Sequence, residues 1–128
     1  QSFNTYVHHN ISYNNRATGI DFNSGVDVLF YNNVSYNNNS GYTLGKTTTT
    51  VNNIEFSNKV PSYRSGLHHH NSWNLSDYTV SASDFVSLEP SSPDFLRLKA
   101  GSGLVNVGSD VGFPFNETAP DLGVYEQY

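Results

Sequence analysis

One short unit recurs along the first half of this chain and constrains what it can become. His9-Asn10-Ile11-Ser12-Tyr13-Asn14-Asn15 returns as Asn32-Asn33-Val34-Ser35-Tyr36-Asn37-Asn38 and again as Asn52-Asn53-Ile54-Glu55-Phe56-Ser57-Asn58. A degraded fourth copy is Asn71-Ser72-Trp73-Asn74. With the aromatic as marker, Tyr13 to Tyr36 is 23 residues, Tyr36 to Phe56 is 20, and Phe56 to Trp73 is 17. Repeats of about twenty residues with a varying period describe a solenoid whose coils differ in the length of one turn. The irregular period excludes collagen and coiled coils.

Inside each unit polar and apolar residues alternate, as in Val26-Asp27-Val28-Leu29-Phe30, and β-branched and aromatic residues dominate. Such a pattern reads as short strands. Asn, Ser, Thr and Gly interrupt almost every window and disfavour helix. An antiparallel sandwich explains near-identical units less well than like stacked on like. The expected class is therefore all-β, a right-handed parallel β-helix.

Fifteen of the 17 asparagines fall in the first 74 residues, concentrated at strand ends. Asn tolerates the left-handed backbone of a sharp bend, and stacked Asn side chains can hydrogen-bond along the solenoid axis. The register Asn14, Asn37, Asn74 is the expected structural ladder; its neighbour Asn15, Asn38, Asn58 is the alternative, and the letters alone do not say which faces inward. Tyr13, Tyr36, Phe56 and Trp73 are expected at equivalent places, as a stacked aromatic column or a sugar-stacking face. From about Val80 the repeat gives way to acidic, proline-containing segments. Residues 1–79 are thus expected to form about four coils, and 80–128 an irregular C-terminal cap covering the last one. No segment ahead of Gln1 is available to cover the first coil, so the expected partner for that end is a missing N-terminal part of the same protein.

Cysteine is absent, which removes thiolate metal sites and disulfides. The net charge is -5, and the six cations Arg16, Lys46, Lys59, Arg64, Arg97 and Lys99 are scattered, which argues against nucleic acid. No apolar run is long enough to span a bilayer, so no membrane partner is expected. Charged residues are only 13% of the chain, while uncharged polar residues are abundant. Asn-x-Ser/Thr sequons occur at Asn10, Asn33, Asn38, Asn74 and Asn116 and matter only in a eukaryotic secretory pathway.

Gly19-Ile20-Asp21-Phe22-Asn23 followed by Leu29-Phe30-Tyr31-Asn32-Asn33-Val34-Ser35-Tyr36-Asn37-Asn38 resembles the late coils of pectate lyases of polysaccharide lyase family 9. Asn71-Ser72-Trp73-Asn74, Ser81-Ala82-Ser83-Asp84-Phe85-Val86-Ser87-Leu88, Asp94-Phe95-Leu96-Arg97-Leu98 and Asp121-Leu122-Gly123 resemble that family's C-terminal segment in the same order. The Asn-rich units are common to many β-helices; the ordered C-terminal series is the more specific part.

The resemblance implies a secreted, calcium-dependent enzyme cleaving an acidic, polygalacturonate-like polysaccharide by β-elimination. In that chemistry, calcium held by aspartates binds the uronate carboxylate, and a lysine removes the C5 proton. It also implies that the lysine and the aspartate cluster lie upstream of this chain, since neither motif is found here, and that these residues alone are inactive. Lys46, in Gly41-Tyr42-Thr43-Leu44-Gly45-Lys46, is the one substitute catalytic candidate, though no carboxylate pair accompanies it and a solvated turn lysine is the plainer reading. If the coil of Asp21 adjoins the missing lysine, Arg16 and Asp21 are the expected substrate-binding residues, with Arg16 suited to a bidentate grip on a uronate.

Asp21 and Asp27 alone are too few for calcium, which takes six to eight oxygens, and no metal site is expected. His68, His69 and His70 are adjacent strand residues facing alternate sides, so they are read as a polar turn rather than one metal site. Two other classes stay open: a non-catalytic β-helix that binds glycan or serves a structural role, and a hydrolase or epimerase using paired carboxylates, of which no convincing pair is evident.

Overall fold

The structure, a computed structural model, describes residues 5–22, 28–45 and 47–127. Ten short strands run in chain order: β1 Thr5–His8, β2 Ile11–Tyr13, β3 Thr18–Phe22, β4 Val28–Tyr31, β5 Val34–Tyr36, β6 Ser40–Leu44, β7 Thr48–Val51, β8 Ile54–Phe56, β9 Tyr63–Arg64 and β10 Leu67–His69. They stack into three parallel sheets, β1-β4-β7-β10, β2-β5-β8 and β3-β6-β9. Each of the first three coils contributes one strand to each sheet and β10 adds a fourth to the first, so the fold is an all-β parallel β-helix. The repeat sets the register: Ile11 pairs with Val34 and then Ile54, Ser12 with Ser35 and then Glu55, and Tyr13 with Tyr36 and then Phe56.

The bends obey a rule the sequence left open. At the first bend the leading residue takes a left-handed backbone: His9, Asn32, Asn52 and His70 have φ of 54°, 57°, 65° and 57°. The residue after it turns its side chain inward. Asn10 Nδ2 donates to Asn33 Oδ1 at 3.1 Å, Asn33 to Asn53 at 3.0 Å, and Asn53 to Asn71 at 2.9 Å. Each acceptor also takes the backbone N–H of the asparagine in the coil before it, at 3.0, 2.8 and 2.9 Å.

The second bend repeats the arrangement, with Asn14, Asn37 and Ser57 left-handed. Asn15 donates inward to Asn38 Oδ1 at 2.8 Å, and the backbone of Asn38 donates to Asn58 Oδ1 at 2.7 Å. Asn37 donates to Asn14 Oδ1 at 2.7 Å on the exposed side. Asn74 does not join that pair. It ends a 3-10 turn, Ser72–Asn74, and its Oδ1 accepts from the side chain of Asn71 at 2.9 Å.

The aromatic marker fails at the same point. Asn71 stands one coil from Asn53, 18 residues on, and His69 pairs with Val51. Trp73 therefore falls level with Glu55 rather than Phe56, and since alternate residues face alternate sides, its ring turns in to lie 5.1 Å from Tyr42. Tyr36 and Phe56 do stack, with centroids 5.6 Å apart and planes 10° apart.

Two apolar clusters form. The inner one, Ile20, Val28, Phe30, Tyr42 and Leu44, lies between the first and third sheets. The other sits outside the second sheet. In Ile-Ser-Tyr, Val-Ser-Tyr and Ile-Glu-Phe the central residue faces in, where Ser12 and Ser35 donate to the carbonyls of Gly19 and Gly41 at 2.6 and 2.8 Å, so the flanking apolar residues face out and need cover. The C-terminal segment supplies it: Val34 and Ile54 pack with Phe85, Phe95, Leu96, Leu98, Leu104 and Leu122. The segment expected over the last coil is thus laid along a side wall. The outward corner asparagines pin it, Asn32 donating to the carbonyls of Asp121 and Gly123 at 3.2 and 3.0 Å and Asn52 to that of Ser109 at 2.7 Å.

Candidate functional site

The two residues singled out for substrate binding lie on β3 and in the bend that leads into it. On β3, Ile20 is buried in the inner cluster while Asp21 is exposed, as strand alternation requires. Asp21 stands in register with Thr43 on β6. Arg16 is exposed in the bend between β2 and β3. That bend is hydrogen-bonded to the next coil: the side-chain amide of Asn15 donates to Asn38 Oδ1, and the N–H of Asn39 lies 3.1 Å from the carbonyls of both Asn15 and Ala17. A long cationic side chain therefore projects from a hydrogen-bonded bend beside a strand carrying a single exposed carboxylate.

Among the described residues, no hydrogen bond or ion pair joins Arg16 to Asp21 or engages either head group. Both remain available to a ligand, the guanidinium as a planar fork for a carboxylate and Asp21 as an acceptor for sugar hydroxyls. Lys46, the catalytic candidate, lies outside the described residues, as does Asp27.

The calcium implied by the resemblance does not fit the residues described. Among them no group of three His, Cys, Asp or Glu side chains converges on a point, and Asp21 is a lone carboxylate on its strand. The histidine run disperses. His68 faces in to Thr50 Oγ1 at 2.6 Å and the Ser65 carbonyl at 2.8 Å, His69 is exposed, and His70 lies 3.2 Å from the Val107 carbonyl. Arg16 and Asp21 are thus one exposed cation and one exposed carboxylate at neighbouring positions of the chain.

Sequence reading missed Glu55. It sits at the inward position of β8 that serine holds in the two preceding coils, and two open clefts meet at it, one shared with Trp73 and Tyr78 and one with Lys59. The break in the Ser12, Ser35 series was the available signal.

No protein-family model matches the chain, and no curated protein matches it in sequence. Among solved structures, the crystal structure of the pectate lyase Pel9A superposes with a TM-score of 0.84 at 28% identity, covering 98% of this chain and 36% of that one. No helix among the described residues is long and apolar enough to cross a membrane. The chain spans about a third of the length of that enzyme, and over almost all of its own residues it is similar to a pectate lyase β-helix.

Proposed function

We propose that this chain forms late coils, one groove wall and the C-terminal segment of a secreted, calcium-dependent lyase that cleaves polygalacturonate or a related uronan by β-elimination. The reading rests on the similarity of 98% of the chain to 36% of a pectate lyase. By the family resemblance, the proton-abstracting lysine and the calcium-binding aspartates are placed upstream of these coils, in keeping with the described residues holding no group of three His, Cys, Asp or Glu side chains. The role of the present coils is binding. Arg16 holds a uronate carboxylate through paired, charge-assisted hydrogen bonds, and Asp21 accepts from hydroxyls of the same sugar chain. An acidic polysaccharide suits this division because an exposed guanidinium discriminates for carboxylate over neutral sugar.

The test follows the absorbance of the unsaturated uronide formed from polygalacturonate with calcium present. Protein extended by the natural upstream sequence is expected to be active, and the 128 residues alone inactive. Strong activity of the short chain would overturn the placement of the base. An inactive extended protein that still binds pectate would favour a glycan-binding β-helix instead.

A further inference from the structure

The asparagine ladder has a direction, and its two ends differ. At each junction of the first bend the earlier asparagine donates its backbone N–H and its side chain to Oδ1 of the later one, Asn10 to Asn33, Asn33 to Asn53 and Asn53 to Asn71. The later asparagine answers with its own Nδ2, which reaches back to the carbonyl three residues ahead of its partner. Asn33 donates to Val7 at 2.9 Å, Asn53 to Phe30 at 2.8 Å and Asn71 to Thr50 at 3.0 Å. The second bend follows the same rule, with Asn38 donating to the Ser12 carbonyl at 3.0 Å and Asn58 to that of Ser35 at 3.1 Å. A ladder asparagine is therefore the receiving group for the coil before its own.

At the far end the rule is met without a further coil. Asn74 Oδ1 takes the N–H and Nδ2 of Asn71 at 3.2 and 2.9 Å, the same two donors that the next ladder asparagine takes at every earlier junction of that bend. At the near end it is met by half. Among the described residues Asn10 Oδ1 and Asn15 Oδ1 accept no hydrogen bond, and their Nδ2 groups also turn back on their own coil, to the His8 carbonyl at 3.0 Å and to Ser12 Oγ at 2.9 Å. The burial changes in step: Asn10 and Asn15 are exposed and Ile11 is half-buried, whereas Asn33, Asn38 and Asn53 are 0% exposed and Val34 and Ile54 1%. β1, β2 and β3 are the edge strands of their three sheets among the described residues. Three adjoining edges form a template for parallel strands, and the two amide oxygens select what lies on it.

We propose that the face of the first coil formed by β1, β2 and β3 is a docking surface for one further parallel coil of the same polypeptide, whose two bends carry asparagines that donate to Asn10 Oδ1 and Asn15 Oδ1. The two asparagines lie five residues apart, as Asn10 and Asn15, Asn33 and Asn38, and Asn53 and Asn58 do, and one coil ahead, where the spacing in this chain is 23, 20 and 18 residues. A second copy does not fit this face. Its last coil has the ladder donors of Asn71 committed to Asn74, and two first coils set face to face oppose ladder acceptor to ladder acceptor.

The tests use no polysaccharide, so they stand or fall apart from the lyase reading. In the natural upstream sequence, an asparagine pair is expected one coil ahead of Asn10 and Asn15. Adding that coil is expected to slow amide exchange in β1 by at least about tenfold. Asn10→Ala removes only donor bonds from the 128-residue chain; in the extended protein it is expected to lower the urea midpoint at least about twice as far, because buried donors then lose their acceptor. Replacing the upstream pair with alanine is expected to return β1 to the exchange rates of the short chain, and it reads the same junction should extended Asn10→Ala not fold. Sedimentation of the 128-residue chain is expected to show a monomer. The proposal fails if the upstream sequence lacks the pair, if β1 exchanges equally fast in both proteins, if Asn10→Ala costs the same in both, or if the short chain forms a dimer that Asn10→Ala dissociates.

Discussion

Asn33 and Asn53 lie 20 residues apart in sequence and one coil apart in space, the side chain and backbone N–H of the first both donating to Oδ1 of the second, at 3.0 and 2.8 Å. Both are fully buried. Asn53 Nδ2 in turn reaches Asn71 Oδ1 and the Phe30 carbonyl, at 2.9 and 2.8 Å. Asn53→Ala leaves buried donors and acceptors without partners in three coils, each costing about 1 to 3 kcal/mol. A loss of roughly 3 kcal/mol is expected from the urea midpoint at unchanged slope. Asn14→Ala, on the exposed pair, is expected to cost less than about 1 kcal/mol. Equal losses would show that the inward column contributes nothing special.

Gly123 carries the docking of the C-terminal segment onto the second sheet. Its φ is 82°, its N–H donates to the Asn52 carbonyl at 2.8 Å, and a Cβ there would lie 2.7 Å from Ile54 Cδ1 and 3.1 Å from Val34 Cγ2. Gly123→Ala adds overpacking of about 1 to 3 kcal/mol to the left-handed penalty. Gly101, with φ of 86° and nothing within 4 Å of an added Cβ, isolates that penalty alone. Gly123→Ala is expected to destabilise by about 2 to 4 kcal/mol and Gly101→Ala by about 1 kcal/mol in urea unfolding. Similar losses for the two would mean that the segment is not seated on Val34 and Ile54.

The contrast between these two regions shows what the sequence made legible. Aligning the repeats by eye gives the strand register, because Ile11, Val34 and Ile54 fall at one place in three copies and stacked coils pair like with like. The division of each Asn pair was hidden, since the outward left-handed residue and the inward ladder residue are the same letter, and only backbone geometry separates Asn32 from Asn33. The side-wall position of the C-terminal segment was encoded but unread. Apolar residues flank a central Ser in Ile11–Tyr13 and Val34–Tyr36, and once that Ser faces in, the flanking residues need an outer cover. Trp73 misled because the aromatic was followed in place of the asparagine, and the two part company by one residue in the last coil. Arg16 and Asp21 were found as exposed residues, whereas Glu55 needed the register before its departure from serine carried meaning.

His9 gives the fold a pH dependence of known sign. It occupies the corner that Asn32 and Asn52 hold in later coils, with its ring 4.8 Å from Phe113 and its Nδ1 3.0 Å from His8 Nδ1. Burial, and then the neighbouring His8, lower its pKa from 6.5. Glu126, which lines the same small cavity, is already engaged by the N–H groups of Asn116 and Asp121 at 3.0 and 2.8 Å. A lowered folded pKa means that the unfolded chain takes up the proton first. The contribution is therefore complete above pH 6.5 and is lost as pH falls below it, until the folded state protonates too. His9→Asn, the residue of the later coils, is expected to flatten the fall of the urea midpoint below that pH. An unchanged slope would place the titrating group elsewhere.

Arg16 separates binding from folding. Its side chain is exposed, so Arg16→Ala is expected to shift stability by less than about 0.5 kcal/mol. Under the proposed function, the same change in a longer protein with lyase activity would remove a charge-assisted, bidentate grip worth about 1.5 to 3 kcal/mol. The expected result is a KM for polygalacturonate raised by roughly tenfold or more with kcat little changed, because the residue holds the sugar chain equally in ground and transition states. Arg16→Lys is expected to recover only part of the loss, since an ammonium keeps the charge but not the planar fork. A fall in kcat at constant KM would move Arg16 from holding the chain to acting at the reacting carbon, and full rescue by lysine would reduce its role to simple charge.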